Sequence, residues 1–116
     1  MDFNSDLVRS VVQPIILKLV DERPMYGYEI IQELERRSQG YFTFKEGLLY
    51  PALHELEKNG LVTSDWQDTA QGRRRRYYCL TDSGRAALAP AVEEWTTFAA
   101  NLLALLRPAP AGGEQA

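Results

Sequence analysis

Residues 45–60, KEGLLYPALHELEKNG, restrict the fold more than any other stretch, because they join a one-sided helix to a fixed stop. At 100° per residue Leu49, Ala52, Leu53 and Leu56 share one side, and Gly60 stands where a left-handed residue ends a helix. Gly47, Pro51, His54 and Lys58 fall on the opposite side, with Tyr50 on its flank. That outward face is small or polar at its start and basic at its end, so it lets backbone approach another surface closely. LVTSDW, a turn-rich QDTAQG and RRYYCLT then read as a hairpin, with four consecutive arginines, Arg73, Arg74, Arg75 and Arg76, running from the tip into the second strand. Helix, strand, basic loop, strand is the order of a winged helix-turn-helix. The expected fold is mainly α with a small β-hairpin, an N-terminal helix before the motif and a C-terminal dimerisation helix after it.

The flanking segments say what supports that motif. Leu7 to Val20 carries apolar residues at 7, 8, 11, 12, 15, 16, 17, 19 and 20, too many for one side of a helix. A helix apolar nearly all round needs burial on more than one face, and in so small a chain the second cover is expected from another subunit. Pro14 should bend this helix, and Asp21 to Pro24 should end it. Met25 to Ser38 reads as an amphipathic scaffold helix with Ile30, Ile31 and Leu34 inward. QGYFTF then connects it to the next helix, its aromatics serving as core plugs. In the second strand, alternation puts Tyr78 and Leu80 on one face, expected inward, and Tyr77 and Cys79 on the other. Thr81 or Asp82 caps the last helix. Apolar residues recur there at Leu88, Val92, Trp95, Ala99, Leu102 and Leu106, alternating steps of four and three as in a heptad seam. Together with Leu7 and Val11 of the first helix, these are the candidate dimer-interface residues. Pro90 must either kink this helix or begin a second one. The expected division is a DNA-binding unit over 1–81, a dimerisation helix over 82–107 and a disordered Pro, Gly and Ala-rich tail over 108–116.

Composition narrows the function classes. With 116 residues, 45% hydrophobic and 25% charged, the chain is sized for one ordinary domain. No apolar run is long enough to cross a bilayer and MDFNSD lacks the features of a signal peptide, so a cytoplasmic protein without membrane contact is expected. One cysteine and one histidine leave no internal disulfide and no cluster of soft metal ligands, and neither metal nor cofactor is expected. An enzyme is not expected either: there is no phosphate-binding loop, no dinucleotide fingerprint and no nucleophile, base and acid set, and Glu93 and Glu94 face different ways on a helix. The net charge of -3 taken alone argues against a nucleic-acid partner, but the arginines are contiguous while the acids scatter over helix faces.

Each candidate contact has a bland alternative. Arg73 to Arg76 suit a wing lying along phosphates, against the alternative of a solvated hairpin tip. Lys45 and Tyr50 are placed on phosphate, His54 near base edges and Lys58 at the end of the same face; Tyr50 has the alternative of packing under the wing, and His54 that of an exposed histidine without a partner. Trp95 is either plain interface core or a platform for a planar ligand.

The strings GLLYPAL over Gly47 to Leu53, then HELEKNGLV and GRRRRYYCLTDSGR, resemble the PadR family of bacterial transcriptional regulators, whose usual strings are GTLYPAL, RLE-x-x-GLI and GRRRKYYRLT-x-x-G. YGYEIIQEL matches as well, and the resemblance runs from Ile15 to about Trp95. One departure is Leu48, where the family usually has Thr, so Leu48 is not counted as a phosphate contact. The resemblance implies a dimeric winged-helix repressor on a pseudo-palindromic operator. The single C-terminal helix is similar to the short subfamily that includes a lactococcal multidrug-binding regulator. In that subfamily a tryptophan from each subunit lines a pore at the dimer centre and stacks on planar drugs. Matching Glu93, Glu94 and Trp95 to it carries that role to Trp95, with Val8, Val12, Ile15, Val92 and Ala99 as pore neighbours. Two acidic positions of that pore are Leu7 and Ala99 here, so a neutral aromatic effector, or none, is implied. The competing function is a winged helix used for protein interaction without DNA, which suits the acidic balance better and the arginine run worse.

Overall fold

The computed structural model describes residues 5–108, with side chains from residue 7 onward. From residue 109 on, the expected tail lies outside the described residues. Seven elements follow in order: α1 (Ser5–Glu22), β1 (Met25–Tyr26), α2 (Gly27–Arg37), α3 (Glu46–Lys58), β2 (Val62–Asp68), β3 (Arg74–Leu80) and α4 (Asp82–Leu106). The three strands form one antiparallel sheet in the order β1-β3-β2. α2 and α3 are the helix-turn-helix and β2 with β3 is the wing. Among the described residues, no helix is long and apolar enough to cross a membrane.

The core is built around the inner side of α3. Leu49, Leu53 and Leu56 are fully buried there together with Ala52, as the spacing predicts. They meet Val12, Ile16 and Val20 of α1, Ile30 and Leu34 of α2, Phe44 of the connection, Val62 and Tyr78 of the wing base and Leu88 of α4 in one cluster. Burying a leucine stabilises by about 1.5–3 kcal/mol, so the three leucines of this stripe are a large share of a small domain's net stability. Phe44 and Phe42 plug this core as expected, whereas Tyr41 is exposed.

Two sequence expectations are corrected. The helix expected from Met25 begins only at Gly27: Met25 and Tyr26 form a strand, Met25 opposite Tyr78 and Tyr26 opposite Tyr77. Two residues cannot display a period, and the strand exists because β3 offers a free edge. The wing strands are also longer than expected. Gln67 and Asp68, read as turn, pair with Arg75 and Arg74. The two prolines inside α1 and α4 leave both helices unbroken. Pro90 has no amide to donate to the Ala86 carbonyl, and Ala86 lies on the exposed side of α4.

The end of α3 sets the direction of everything after it. The Leu61 amide donates to the Leu56 carbonyl at 2.9 Å and the Gly60 amide to Glu57 at 3.0 Å, while Gly60 takes a φ of 77°. This is a Schellman stop, which needs a residue without Cβ. Thr81 then ties three elements together. Its hydroxyl donates to the Gly60 carbonyl at 2.7 Å and accepts from the Gly84 amide at 2.9 Å, and its amide donates to Leu61 at 3.1 Å. Gly84, buried, lies so close to the Leu61 carbonyl oxygen that a Cβ would overlap it.

Ion pairs fasten α1 to α2. Arg37 grips Glu22 through two bonds of 2.6 Å and also donates to Glu33 at 2.9 Å, while Arg36 reaches Glu33 at 2.8 Å. Hydrogen bonds from Arg36 and then Arg37 lower the Glu33 carboxyl from 4.5 to about 2, and Arg37 lowers that of Glu22.

Two outcomes follow. Gly84→Ala gains about 1 kcal/mol of helix propensity but meets fixed backbone, and overpacking costs about 1–3 kcal/mol; net destabilisation is expected in urea denaturation. Because the folded carboxylates titrate below their unfolded values, their contribution is full above about pH 4.5 and is lost as pH falls towards about 2. The melting temperature should therefore fall across that window at low salt, and fall less steeply in Arg37→Gln.

Candidate nucleic-acid interface

α3 projects its uncommitted face beside the wing. Gly47, Tyr50, Pro51, His54 and Lys58 are exposed, and a Cβ built on Gly47 would meet nothing within 4 Å. Lys45 is the N-cap residue and makes no side-chain cap bond. Among the described residues Lys45, His54, Lys58 and Arg73 enter no salt bridge. A cation at the N-terminal end of a helix gains nothing from the helix dipole, so Lys45 is unfavourably placed unless an anion sits against it.

Between α3 and the wing runs an open cleft of about 510 Å³, and Tyr50, His54, Trp66 and the four arginines line it. Tyr50 lies on its floor with its hydroxyl against Gly27, where any Cβ would displace it. Burial and then the nearby Glu46 carboxylate raise the phenol's pKa, so it stays a neutral donor near pH 7. Tyr50 thus packs the tip of its ring against α2 rather than under the wing, while the rest of the side chain stays exposed beside the cleft.

The arginines divide between turn and strand, with β3 starting one residue earlier than the expected RRYYCLT. Only Arg73 is in the turn, while Arg74, Arg75 and Arg76 belong to β3. The turn is closed by the Gly72 amide on the Thr69 carbonyl at 2.9 Å and the Arg73 amide on the Thr69 hydroxyl at 3.2 Å, with Gly72 at a φ of 81°. Strand alternation then divides the remaining three. Arg74 and Arg76 stand opposite Asp68 and Trp66 on the side that carries the buried Val62 and Tyr78. Their guanidinium carbons lie 5.7 and 5.9 Å from the Trp66 ring centre. Arg75 leaves the sheet on the other face and stacks on Tyr26 at 4.3 Å, where both still line the cleft.

Their ionic partners differ as well. Arg74 has a loose, exposed contact with Asp68 at 3.5 Å. Arg76 donates to Ser64 Oγ at 2.8 Å and to Glu57 at 3.3 Å. Trp66, more than half exposed between two arginines, is absent from the sequence-based set. Its period-two register with Val62 and Ser64 was the available signal.

A second concavity, of about 530 Å³, separates α1 from α4 and is lined by Val11, Ile15, Leu34, Val92, Trp95 and Ala99 among others. Of the pore residues carried over from the resemblance, Ile15, Val92, Trp95 and Ala99 line it. Val8 and Val12 do not: both are buried in the chain's own core, because α1 turns the 8, 12, 16 and 20 positions inward and leaves Val11 and Ile15 to the groove. Leu88 is likewise a core residue, buried against its own chain rather than part of an exposed seam. The rest of the seam is open, with Val92 and Leu102 partly exposed and Leu106 largely so; Phe98, Leu103 and Leu105 add to the same apolar surface, as does Leu7 from α1.

Comparisons with known proteins agree with this architecture. Residues 16–90 match the model of the transcriptional regulator PadR-like family. A transcriptional regulator of Mycobacterium tuberculosis is 40% identical over 80 residues, covering 69% of this chain and 71% of that protein. The negative transcriptional regulator PadR of Bacillus subtilis is 30% identical over 67% of this chain, which spans 43% of its length. Among solved structures, a transcriptional regulator from Clostridium thermocellum superposes with a TM-score of 0.79 at 32% identity, covering 88% of this chain and 99% of the other. A PadR-like regulator from Bacillus cereus gives 0.77 at 25% identity over 90% and 99%. A small antiparallel sheet behind a helix-turn-helix, the matched residues and these relatives lead to one assignment: the chain belongs to the PadR-like family of transcriptional regulators.

Proposed function

We propose that the protein is a cytoplasmic homodimeric repressor that binds a pseudo-palindromic DNA operator, α3 entering the major groove and the wing lying along the adjacent backbone. The observation that carries this reading is the uncommitted face of α3, small at Gly47, with Lys45, Lys58 and Arg73 outside any described ion pair and Arg74 held only by a loose one. Phosphate supplies the anion that Lys45 lacks at the helix N-terminus, and His54 is placed for base edges. The relative named a negative regulator supports repression over activation. A net charge of -3 does not oppose it, since binding depends on local cation density.

The second copy covers the apolar surface of α4 and the outer face of α1. Val11, Val92, Trp95, Ala99, Leu102 and Leu106 are its central residues, with Leu7 at the edge. Two subunits so joined hold two recognition helices at a fixed separation, which suits a twofold-related site. The groove beside Trp95 then opens to the dimer centre, where a neutral planar aromatic ligand would stack on the indole. A ligand that prefers one spacing of the recognition helices would shift operator affinity.

The reading as a protein-interaction module without DNA is favoured by the acidic total charge alone. Titration of a duplex at two or more salt concentrations separates the two. Binding should weaken with salt, and Arg73→Ala should make the log-log slope shallower by about 0.9, one phosphate's worth. A salt-insensitive or absent shift would establish the rival. For the groove, Trp95→Ala should abolish binding of a planar aromatic dye, followed by fluorescence, while sedimentation still reports a dimer. Dissociation into monomers together with a loss of several kcal/mol, the scale of a buried Trp truncation, would make Trp95 interface core instead.

A further inference from the structure

The four arginines of the wing invite the reading that all four meet the same polyanion, but one of them is already engaged within the chain. Arg76 Nε donates to Ser64 Oγ at 2.8 Å, Ser64 Oγ donates to Glu57 Oε2 at 2.7 Å, and Arg76 Nη2 closes the ring on Glu57 Oε1 at 3.3 Å. Three residues from three elements thus form a closed polar loop, Glu57 from α3, Ser64 from β2 and Arg76 from β3. The Arg76 and Glu57 side chains are about two-thirds covered, at 38% and 32% exposure. The guanidinium also lies between the Trp66 and Tyr78 rings, each centre 5.9 Å away. Arg74, by contrast, makes its ionic contact from a side chain 65% exposed, to an aspartate that is 83% exposed.

We propose that Arg76 is a positioning residue: with Glu57 and Ser64 it braces the wing against the recognition helix and does not neutralise a phosphate. The inference rests on the DNA-binding reading above. Moving Arg76 to a phosphate would break two hydrogen bonds and leave Glu57, a carboxylate on the helix that enters the groove, facing the polyanion unscreened. Charge-assisted bonds within a partly covered network resist exchange better than an exposed pair does. The brace therefore does two things: it fixes the angle between α3 and the wing, and it cancels the one α3 carboxylate that it holds. Arg73 and Arg74 remain as the wing's mobile cations.

The test has one arm with DNA and one without. Operator binding by the full chain, measured at several salt concentrations, should be weaker in Arg76→Gln at an unchanged log-log slope. A slope shallower by about 0.9 would make Arg76 a phosphate contact and overturn the proposal. Ser64→Ala, which alters no charge, should weaken binding several-fold, again at constant slope; unaltered affinity would remove the positioning role. In urea denaturation without DNA, the shift in midpoint for Glu57→Gln combined with Arg76→Gln should be smaller than the sum of the single shifts, because either change alone already breaks the loop. Additive shifts would overturn the brace. If the wild-type protein binds no duplex, the functional reading fails, while the denaturation arm still decides whether the brace exists.

Discussion

A helix that ends inside a small protein leaves backbone carbonyls that something must satisfy, and the end of α3 answers this for three elements at once. Gly60 reverses the chain, the Leu61 amide returns to Leu56, and the carbonyls of Gly60 and Leu61 receive the hydroxyl and the amide of Thr81. α3, the wing and α4 therefore leave one junction, and none can change direction alone. The absence of a side chain at Gly84 lets α4 start against the Leu61 carbonyl rather than one atom further out.

From that junction the wing extends with a pleat already in phase, and the phase makes four identical residues chemically unlike. Arg73 is in the turn, Arg74 and Arg76 share the side of Trp66, and Arg75 lies on Tyr26 across the sheet. Neighbours then separate Arg74 from Arg76, an exposed aspartate holding the first and a covered glutamate the second. Total charge says little about such a surface. What matters is which cations are already matched within the chain, and that depends on register.

Much of this was legible in the sequence where a single period was sustained for long enough. The inward residues of α3, the stop at Gly60, the cap at Thr81 and the inward Tyr78 all came from spacing and turn chemistry. β1 was not legible, because two residues show no alternation and their pairing depends on an edge distant in sequence. Gln67 and Asp68 have turn-like composition, yet the tighter loop from Thr69 to Arg73 lets them join the ladder. The rotation of α1 was hidden for the opposite reason: with apolar residues on most sides, Val8, Val11, Val12 and Ile15 look alike until a neighbour selects which of them turn inward. Leu88 belongs to the heptad by spacing but to the core by position, since α4 still lies against its own chain there. The Glu57, Ser64 and Arg76 loop joins residues 7, 12 and 19 positions apart and has no local signature.

No residue from 63 to 77 is buried, although β2 and β3 pair along their whole length. The outer wing is thus held by backbone bonds and surface contacts while the folding free energy resides elsewhere. Apart from Ser64 and Arg76, which are tied to Glu57, its side chains add little to the packed core, and substitutions there are expected to leave the fold intact. The chain's exposed cations and its packed core thus lie on different residues, and the Glu57, Ser64 and Arg76 loop couples the two.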